Sequence, residues 1–573
     1  MAPVLILQLT QDNTHLQFNN NNQCVNSILN GETIKISVHG SGWFKNTLIK
    51  SSSDFSNLIS QINPFDIPNS IGGNLKGSLC CYVSYKRSIY ILPDVLGSAI
   101  VFKYQKDNIT AFSSDLSSLV ASLRLLGLKP KKNINYLVEL ISTGNGGLNS
   151  SSYENIEAIE NFSYIKINNN KFTINKYSKH EQFFSTSSSD ILFEEARCEI
   201  LSNVESALES SLSPVAHLTG GFDSRLILSA LSCFPDYKKK VTFFCSGNSE
   251  LLDKKIALQI GSHLNLRMSD SDGTYYTNSQ LPSFNASQGL VKLAPPNAAR
   301  DNNLILSGGY GECLRSFYKS KYKLDKNYNI TDMLKALYGD VCFGNDKNTR
   351  FTSENFYQDY AKKLDKFIKD SLDKGLRYDA ILDYMYLAVR NRYYVGLTSL
   401  YNSNISPRID PLYALSGFKL ALNTELEKRQ NNFIGLNLMR SFNENILGLP
   451  FDYDRIGTEY EKAYGKVEKV SPIKGNIEFV SFQRENHPRS SNVAYSKNDI
   501  EKAKKLSAPL WQVAHLKNAQ CELASNLENI GVNKISEAMN YKTIEKLATS
   551  ELNNRISIRY VHSINEALKW YFE

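Results

Sequence analysis

The sequence has few of the features that mark membrane, zinc-binding or secreted proteins. In its 573 residues no apolar run approaches the roughly 20 residues that a membrane-spanning helix needs, so we expect no membrane partner. Its nine cysteines are an odd number without a Cys-x-x-Cys motif, which is typical of a reducing compartment, and we predict a cytoplasmic protein. Residues 3–9 are apolar but short and lack a basic leader, so they are predicted to form a strand rather than a signal peptide.

Strong charge and internal repetition are absent as well. The formal net charge of +8 is modest for this length and is spread along the chain. The richest basic stretches, residues 129–132 and 238–240, have no interleaved aromatic residues, so we expect no nucleic-acid partner. Because no repeat of solenoid period is found, an ordinary globular organisation is predicted.

Length and pattern predict two domains. With 42% hydrophobic residues the chain can form two or more buried cores. A serine-rich polar stretch at residues 179–189 is the predicted linker, which gives domains at 1–185 and 190–573. Period-two alternation at residues 82–90 and 100–104 predicts strands before the linker. The helices predicted after it span residues 357–372, 380–400 and 500–527.

One hexapeptide carries the most specific chemistry. The segment Thr-Gly-Gly-Phe-Asp-Ser begins at Thr219, after an apolar run, and no Gly-Lys-Ser/Thr closes it as in a P-loop. Gly220 and Gly221 let backbone N–H groups approach an anion, which the start of the following helix also attracts. The hydroxyls of Thr219 and Ser224 add donors, and Asp223 is placed to hold Mg²⁺ between phosphates. We predict a pyrophosphate-binding turn, with an ordinary strand–turn–helix junction as the alternative.

A second glycine-rich turn lies further along the chain. Residues 304–306 have a strand pattern that ends in Ser-Gly-Gly-Tyr-Gly-Glu, with Glu312 as the carboxylate. In an open parallel sheet such turns meet at the carboxyl ends of the strands, so Glu312 would bind Mg²⁺ opposite Asp223. Between the turns, residues 241–246 predict a third strand, whose end would support adenine, and residues 252–263 predict a helix. The residues predicted to bind ATP or pyrophosphate are His217, Leu218, Thr219, Gly220, Gly221, Asp223, Ser224, Phe244, Cys245, Ser307, Gly308 and Gly309.

Together these motifs resemble the asparagine synthetase superfamily. Its synthetase domain carries Ser-Gly-Gly-x-Asp-Ser, a Phe-rich strand and Leu-Ser-Gly-Glu-Gly-Ser-Asp-Glu, in the order and spacing found here. Residues 406–413 are similar to its Arg-x-Pro-Phe-Leu-Asp segment. An equal interpretation is that Arg408 and Asp410 form a pair that braces a turn. The stretches that resemble strands of the family's glutaminase domain are residues 77–83, 91–97 and 111–115.

The resemblance implies an α+β N-terminal-nucleophile-like sandwich followed by an α/β parallel-sheet ATP pyrophosphatase domain with a helical C-terminal part. It also implies ATP and Mg²⁺ as cofactors, with Asp223 and Glu312 as the metal ligands. In that family a substrate carboxylate is adenylated with release of pyrophosphate, and an amine then displaces AMP.

The first domain departs from the family at its expected nucleophile. A glutaminase of this type needs cysteine directly after the initiator Met, and this sequence has Ala2. Cys24, Cys80 and Cys81 are predicted to be buried small hydrophobes rather than substitute nucleophiles. We therefore expect no glutamine hydrolysis, as in the β-lactam synthetases and lasso-peptide macrolactam synthetases, the relatives closest in logic. In those enzymes an amine of the substrate itself attacks the acyl-adenylate.

Further catalytic roles follow from the resemblance. A lysine near the α-phosphate stabilises acyl transfer in these relatives, and we predict Lys466, since the loop at residues 452–457 lacks the family's Arg-x-Lys. The other candidates are Lys462, Lys469 and Lys474. Cyclising relatives have a tyrosine in the second turn that is paired with a glutamate and acts as general base. Tyr310 either has this role or forms part of the pocket wall. Arg315 either steadies a phosphate or carboxylate, or begins an amphipathic helix.

The resulting hypothesis is an ATP- and Mg²⁺-dependent amide ligase that closes a ring, as in peptide macrolactam synthesis. Ring closure gains a proximity advantage of up to about 7–11 kcal/mol. The expected partners are a small-molecule or peptide substrate and, for a peptide, a leader-peptide-binding protein or a protease. The alternatives are an ammonia-dependent amidating enzyme and a catalytically inactive ATP-binding regulatory protein. Some pyrophosphatases with this turn modify tRNA, but those usually carry paired catalytic cysteines.

Overall fold

The computed structural model describes residues 2–9, 14–19, 24–169, 171–245, 252–269, 302–318, 321–403, 406–480 and 495–572. These residues form a mixed α/β structure with two antiparallel sheets, a parallel sheet and many helices. None of the helices in these ranges combines the length and the apolarity that crossing a bilayer requires.

The strands are numbered along the chain. Those of the two antiparallel sheets are β1 (Val4–Leu9), β2 (Thr14–Asn19), β3 (Cys24–Leu29), β4 (Glu32–Phe44), β5 (Thr47–Ile49), β6 (Leu75–Tyr85), β7 (Ser88–Pro93), β8 (Phe102–Lys106), β9 (Ile109–Ser113), β10 (Ile156–Ala158), β11 (Ser163–Asn168) and β12 (Lys171–Lys176). Those of the parallel sheet are β13 (Ser213–His217), β14 (Thr242–Phe244), β15 (Arg267–Ser269), β16 (Asn303–Leu306), β17 (Arg408–Ile409) and β18 (Glu478–Val480).

The helices are most numerous after the sandwich. Those up to the second turn are Ser52–Gln61, Ile67–Ile71, Gly72–Asn74, Leu116–Leu125, Ile134–Thr143, Lys179–Phe184, Ser189–Leu208, Phe222–Leu231, Tyr237–Lys240, Leu252–Leu264 and Gly311–Leu314. Those that follow are Ile330–Tyr338, Asp340–Phe343, Glu354–Asp373, Tyr378–Met385, Tyr386–Arg390, Arg392–Gly396, Leu397–Asn402, Leu415–Asn423, Leu426–Gln430, Phe433–Leu447, Thr458–Tyr464, Lys497–Leu506, Leu510–Ala514, Leu516–Ile530, Val532–Ser536, Tyr541–Thr549 and Arg555–Phe572.

The two antiparallel sheets pack face to face. One runs β10-β8-β9-β1-β2 and the other β12-β11-β7-β6-β4-β3, with β5 beside β4. Because side chains alternate between the faces of a strand, Cys80 and Tyr82 of β6 face the first sheet, and the Tyr82 hydroxyl bonds to Ser114. Their neighbours Cys81 and Val83 pack on the other side, against the short helices that precede β6. β6 therefore separates two hydrophobic clusters, one between the two sheets and one beneath the short helices.

The cysteine predictions for this sandwich hold at two positions of three. Cys80 and Cys81 are fully buried, as predicted, and burial raises the pKa of both thiols. The prediction for Cys24 is wrong, because this residue is exposed. It begins β3, the edge strand of its sheet, where alternate side chains face solvent.

The third sheet places the two glycine-rich turns side by side. Its order is β17-β16-β13-β14-β15-β18, and every described pairing in it is parallel. In β13 and β16, Val215 lies opposite Ile305 and Ala216 opposite Leu306. These strands lead directly into the two turns, so the prediction that both turns meet at one edge of a parallel sheet is confirmed.

The other predicted elements agree less closely with the structure. The strand predicted at residues 241–246 is the shorter β14, and Ser246 lies outside the described residues. The helix predicted at residues 252–263 is present, one residue longer at its end. The predicted linker at residues 179–189 holds a short helix and the first residue of the next one. Its serine-rich composition did not predict this helical conformation.

Two predicted long helices are not regular α-helices. The one predicted at residues 380–400 holds two consecutive π-helical turns that begin at Tyr386, a distortion frequent at functional sites. The one predicted at residues 500–527 is wrong, since this stretch forms three helices. Ser507 adopts a left-handed φ of 49°, and Pro509 has no backbone N–H with which to continue the helical hydrogen bonds.

The sandwich packs on the parallel-sheet region through buried hydrogen bonds. The Tyr413 hydroxyl donates to the Asp94 carboxylate over 3.0 Å. The Arg392 guanidinium donates to the carbonyl oxygens of Gly97 and Ile159, over 2.8 and 2.7 Å. Since Tyr413 follows β17, which neighbours the strand of the second turn, the sandwich is joined to that side of the sheet.

Candidate nucleotide site

A cavity opens at the carboxyl end of the parallel sheet. Its volume is about 340 Å³, and its walls come from the first turn, the second turn and a loop after residue 452. The lining residues are Thr219, Gly221, Phe222, Asp223, Ser224, Glu312, Arg315, Ser316, Phe317, Tyr453 and Arg455. Both predicted metal ligands and two arginines therefore face the same cavity.

The first turn is closed by oxygen atoms of the chain itself. The Thr219 N–H donates to Ser224 Oγ over 3.2 Å, and the Gly221 N–H donates to Thr219 Oγ1 over 3.0 Å. The Gly220 N–H donates over 3.0 Å to a carboxylate oxygen of Asp253, in the helix after β14. The N–H groups of both glycines, which the sequence predicts for an anion, thus already have acceptors. Asp253 was not predicted, and an acidic residue at a helix start was its only signal.

The helix after this turn, Phe222–Leu231, begins at the cavity without a side-chain cap. The first N–H groups of a helix have no partner within the helix, and its start carries a positive partial charge. Such a start binds phosphate readily. In this arrangement an anion would meet the helix start, with the hydroxyls of Thr219 and Ser224 beside it, rather than the N–H groups of the glycines.

The second turn packs directly on Asp223. A Cβ built at Gly308 would lie 3.0 Å from Asp223 Cβ, and one built at Gly311 would lie 2.4 Å from Asp223 Oδ1. This close approach is open only to glycine. Glu312, the next residue, lines the cavity on the same side, so the two carboxylates are brought together by the packing of one turn on the other.

Arg315 lies between these two carboxylates. Its Nη2 is 2.9 Å from Asp223 Oδ2 and 3.8 Å from Glu312 Oε1. Its guanidinium also lies 5.3 Å from the centre of the Phe222 ring, within reach of a cation–π interaction. The pKa of Asp223 is raised to about 6, chiefly by burial; Arg315 and Arg455 oppose this rise and Glu312 adds to it.

A buried arginine of the first helix holds the third wall in place. The Arg225 guanidinium donates to the carbonyl oxygens of Leu449 and Pro450, over 3.3 and 2.7 Å. It also lies 4.5 Å from the centre of the Phe451 ring. The chain after residue 447 is thereby returned to the first turn, where the Asp452 N–H donates to the Gly220 carbonyl over 2.9 Å.

Arg455 is a cavity residue that the sequence reasoning did not single out. Its guanidinium makes two hydrogen bonds to Asp452, of 2.9 and 2.8 Å, and lies 3.4 Å from the centre of the Tyr453 ring. Bidentate pairing and ring stacking fix its orientation. The sequence showed only a mixed acidic and basic loop, and the return of that loop to the cavity depends on the distant Arg225.

Four further residues predicted to bind ATP or pyrophosphate lie at the same edge of the sheet but do not line this cavity. The rings of His217 and Phe244 are 4.1 Å apart, and the Leu218 N–H donates to the Phe244 carbonyl over 2.9 Å. Cys245 is buried, and its carbonyl accepts a 3.0 Å hydrogen bond from Lys254 Nζ. The structure thus brings these four predicted residues together at the ends of β13 and β14.

Ser307 and Gly309 of the second turn are held from behind rather than exposed in the cavity. Arg408 Nη2 donates to Ser307 Oγ over 2.7 Å. Asp410 is buried, accepts a 3.0 Å hydrogen bond from Ser399 Oγ, and would lie 2.3 Å from a Cβ built at Gly309. Neither Arg408 nor Asp410 lines the cavity, which fits the interpretation of this pair as a brace for the turn.

Tyr310 points away from the cavity. Its ring is buried 4.9 Å from that of Tyr413 and 5.5 Å from that of Phe418, and its hydroxyl bonds to Ser98 of the sandwich. Burial raises the pKa of this hydroxyl well above its usual value. This placement fits neither role predicted for Tyr310, base or wall, since the residue is not among those that line the cavity.

The tyrosine beside the cavity glutamate is Tyr386. Its buried hydroxyl donates to Glu312 Oε2, and its ring lies 4.3 Å from the ring of Phe317. Burial and the nearby Glu312 raise its pKa well above the usual value. Tyr386 opens the π-helical stretch, and 74 residues separate it from Glu312, so no local motif indicated this pair.

The predicted lysine is not at the cavity. Lys466 is exposed, as are the other three candidates, and none of them lines the cavity. Lys462 is paired with Glu459 at 2.5 Å. The positive charge of the cavity walls comes from Arg315 and Arg455.

The carboxylates of the site fit a magnesium ion that is shared with a nucleotide. Mg²⁺ prefers hard oxygen ligands and is commonly bound by one or two carboxylates together with substrate phosphates. Asp223 and Glu312 supply two carboxylates, and Asp223 Oδ1 is buried without a hydrogen-bond partner among the described residues. No group of three or more His, Cys, Asp or Glu side chains in the described ranges could hold a metal ion. Phosphate oxygens and water would complete the coordination.

Comparisons with known proteins add little to this geometry. No protein-family model and no curated protein matches the chain. A solved structure of the allosteric regulatory enzyme of purine biosynthesis is similar over 53% of this chain and 68% of that one, at 10% identity and a TM-score of 0.20. Glutamine phosphoribosylpyrophosphate amidotransferase from B. subtilis, complexed with ADP and GMP, is similar over 55% and 71%, at 10% identity and 0.19. At these scores the likeness supports neither a reaction nor a substrate.

Proposed function

We propose that this chain is an ATP-dependent amide-forming ligase of the asparagine synthetase type. One observation carries the proposal. Two glycine-rich turns on adjacent parallel strands bring the carboxylates of Asp223 and Glu312 to one cavity. Two arginines line the same cavity, and a helix without a side-chain cap begins beside it. Carboxylates for a metal ion, together with donors for phosphate, are what binding of a nucleoside triphosphate requires.

The proposed reaction has two steps. An oxygen of the substrate carboxylate attacks the α-phosphorus of ATP, the bond between the α-phosphorus and its bridging oxygen breaks, and pyrophosphate leaves. A substrate amine then attacks the carbonyl carbon of the acyl-adenylate, loses a proton, and AMP leaves with the carbon–oxygen bonding electrons. Both steps develop negative charge on phosphate oxygens, so preorganised positive groups are the main requirement of the site.

The chain's own residues meet that requirement in separate places. The start of helix Phe222–Leu231 and the hydroxyls of Thr219 and Ser224 would hold pyrophosphate. Arg315 and Arg455 would neutralise charge at the α-phosphate, the role first predicted for Lys466. Bound Mg²⁺, held by these carboxylates, would polarise the phosphates.

Ring closure with an amine of the substrate remains the proposed second step. The two buried cysteines of the sandwich, Cys80 and Cys81, have raised thiol pKa values and no exposed sulfur, so neither is a suitable nucleophile for releasing ammonia from glutamine. Macrolactam formation on a peptide is the proposed case. None of the nine cysteines is in a disulfide, which supports a cytoplasmic setting for the reaction.

The proposal is tested by incubating the protein with ATP, Mg²⁺ and fractionated extract of its source cells. AMP, ADP and pyrophosphate are followed together with the masses of extract components, and Asp223→Asn protein serves as control. AMP, pyrophosphate and a component that has lost one water support the proposal. A requirement for added ammonium supports the amidating alternative, ADP overturns the pyrophosphatase assignment, and bound ATP without turnover supports the regulatory alternative.

A further inference from the structure

We infer that Arg315 acts as a tethered cation that holds Asp223 and Glu312 in the nucleotide-free protein, so that a divalent cation enters this site only together with ATP. The inference rests on the proposed function, because it concerns the same cavity. It goes beyond that function in assigning an order of binding and a residue that sets the order.

The first argument is geometric. A single guanidinium nitrogen of Arg315 lies 2.9 Å from Asp223 and 3.8 Å from Glu312, the two carboxylates of the cavity wall. The Arg315 side chain is 13% exposed, against 23% for Asp223 and 34% for Glu312, so the cation is the most buried member of the three. A metal ion that approaches the carboxylates therefore meets a positive charge already placed between them.

The second argument concerns how Arg315 is attached. It directly follows the helical turn Gly311–Leu314, and its own backbone is extended, with φ −146° and ψ 174°. Glu312 is three residues earlier, so one short segment carries both the ligand and the cation. Because the guanidinium is at the end of a long side chain, it can leave the carboxylates without any movement of Glu312 or of the second turn.

The third argument is the charge balance. With Arg315 in place the two carboxylates and the guanidinium sum to one negative charge, and the neighbouring Arg455 is held by its bidentate pair with Asp452. A divalent cation alone would have to displace Arg315 and leave a partly buried guanidinium unpaired, which is strongly unfavourable. A triphosphate supplies both the missing ligands for the metal and a new anionic partner for Arg315.

The test is binding of Mn²⁺, measured from the signal of the free ion by electron paramagnetic resonance, with and without α,β-methylene-ATP. In the wild-type protein we expect Mn²⁺ affinity to be at least about tenfold higher with the nucleotide analogue. Arg315→Gln should bind Mn²⁺ without nucleotide about tenfold more tightly than wild type, because removal of a neighbouring like charge favours a cation. Arg315→Lys keeps the charge and should behave as wild type.

Arg440→Met is the matched control, since Arg440 is a partly exposed arginine that pairs with Glu444 and is not a cavity-lining residue. The inference is overturned if Arg315→Gln, checked by circular dichroism to be folded, binds Mn²⁺ without nucleotide no better than wild type. It is also overturned if wild type itself binds Mn²⁺ equally well with and without the analogue, a result that needs no variant.

Failure of the proposed function gives a different result. Equilibrium dialysis of labelled α,β-methylene-ATP measures nucleotide binding directly, and absence of binding to wild type would contradict the nucleotide site itself. If the analogue binds normally and only the Mn²⁺ comparison between wild type and Arg315→Gln fails, the site stands and the inference about Arg315 alone is lost.

Discussion

The two glycine-rich turns end neighbouring parallel strands but are held in place in different ways. The first is closed by its own hydroxyls and by Asp253, and its side chains line the cavity. The second is supported from behind: Arg408 and Asp410 brace it, and Tyr310 is buried against the sandwich at Ser98. The first turn therefore provides chemical groups, whereas the position of the second depends on packing by the rest of the chain.

This difference gives the amino-terminal sandwich a structural role that needs no glutamine chemistry. Ser98 bonds to Tyr310 inside the second turn, and Asp94 bonds to Tyr413, whose ring packs on that of Tyr310. Glu312 follows Tyr310 by two residues, so the placement of a proposed metal ligand is coupled to the sandwich through one buried cluster. A sandwich without a nucleophile would still be required to build the site.

The largest effect is expected at the first turn, whose side chains line the cavity. Asp223→Asn removes one of the two carboxylates of the cavity, and we expect AMP formation to fall by about a thousandfold or more. Because Asn has the same size and Asp223 lies at the cavity wall, the thermal midpoint should stay close to that of wild type. Pyrophosphate release and a thermal melt measure the two quantities, and an active, folded Asn variant would contradict the assignment.

The next effect is a pH-dependent change in stability at Asp94, a sandwich residue that supports the second turn through Tyr413. Burial raises the pKa of Asp94 to about 6, above its usual value of 3.8. A carboxyl with a raised pKa in the folded state contributes stability that is fully present below pH 3.8 and is lost as the pH rises through about 6. A shift of this size corresponds to about 3 kcal/mol of unfolding free energy.

Asp94→Asn should remove this contribution, so its loss of stability between acidic and neutral pH should be smaller than that of wild type. Urea unfolding at several pH values between 4 and 7 gives the comparison, with about the same m-value expected for both proteins. Parallel curves for the two proteins would mean that Asp94 does not titrate in this range.

Substitution of one glycine in each turn tests whether the second turn is packed more tightly than the first. A Cβ at Gly309 would lie 2.3 Å from Asp410 Oδ1 and 2.6 Å from Val395 Cγ1, so Gly309→Ala should destabilise the protein by about 1–3 kcal/mol. A Cβ at Gly221 would meet only Thr219 Oγ1, at 3.0 Å, so Gly221→Ala should cost less than about 1 kcal/mol. Denaturant unfolding measures both, and equal losses would remove the distinction between the turns.

The same contrast explains how far the sequence could predict this site. The first turn is contiguous, so its residue types and their order predict the roles of Thr219, Asp223 and Ser224, and the strand pattern before Glu312 predicts that this residue lies at the same edge. Packing between distant segments brings Tyr386 to Glu312 and Arg455 to the cavity, and no local period encodes either placement. The apolar spacing over the π-helical turns is close to that of an α-helix, so periodicity predicts an ordinary helix there.

A smaller effect is expected from the cations of the cavity. Arg455→Met removes a positive group that lines it, and pyrophosphate release should fall about tenfold. Lys466→Met tests the lysine predicted from the sequence; since Lys466 is exposed and outside the lining, we expect a smaller loss than for Arg455. Initial rates of pyrophosphate release under identical conditions decide the order, and the reverse order would restore Lys466 as the catalytic cation.

The smallest effect is expected at Tyr310, and it decides what the second turn does. Tyr310→Phe loses one buried hydrogen bond to Ser98, so stability should fall by about 1 kcal/mol while AMP formation changes by no more than about twofold. A general base in this position would instead lose about 10²–10⁴ in rate. Tyr386→Phe is the comparison, because its hydroxyl contacts the cavity carboxylate of Glu312. If Tyr310→Phe loses more activity than Tyr386→Phe, the second turn takes part in the chemistry. The distinction between a first turn that provides chemical groups and a second turn that is held by packing would then be wrong.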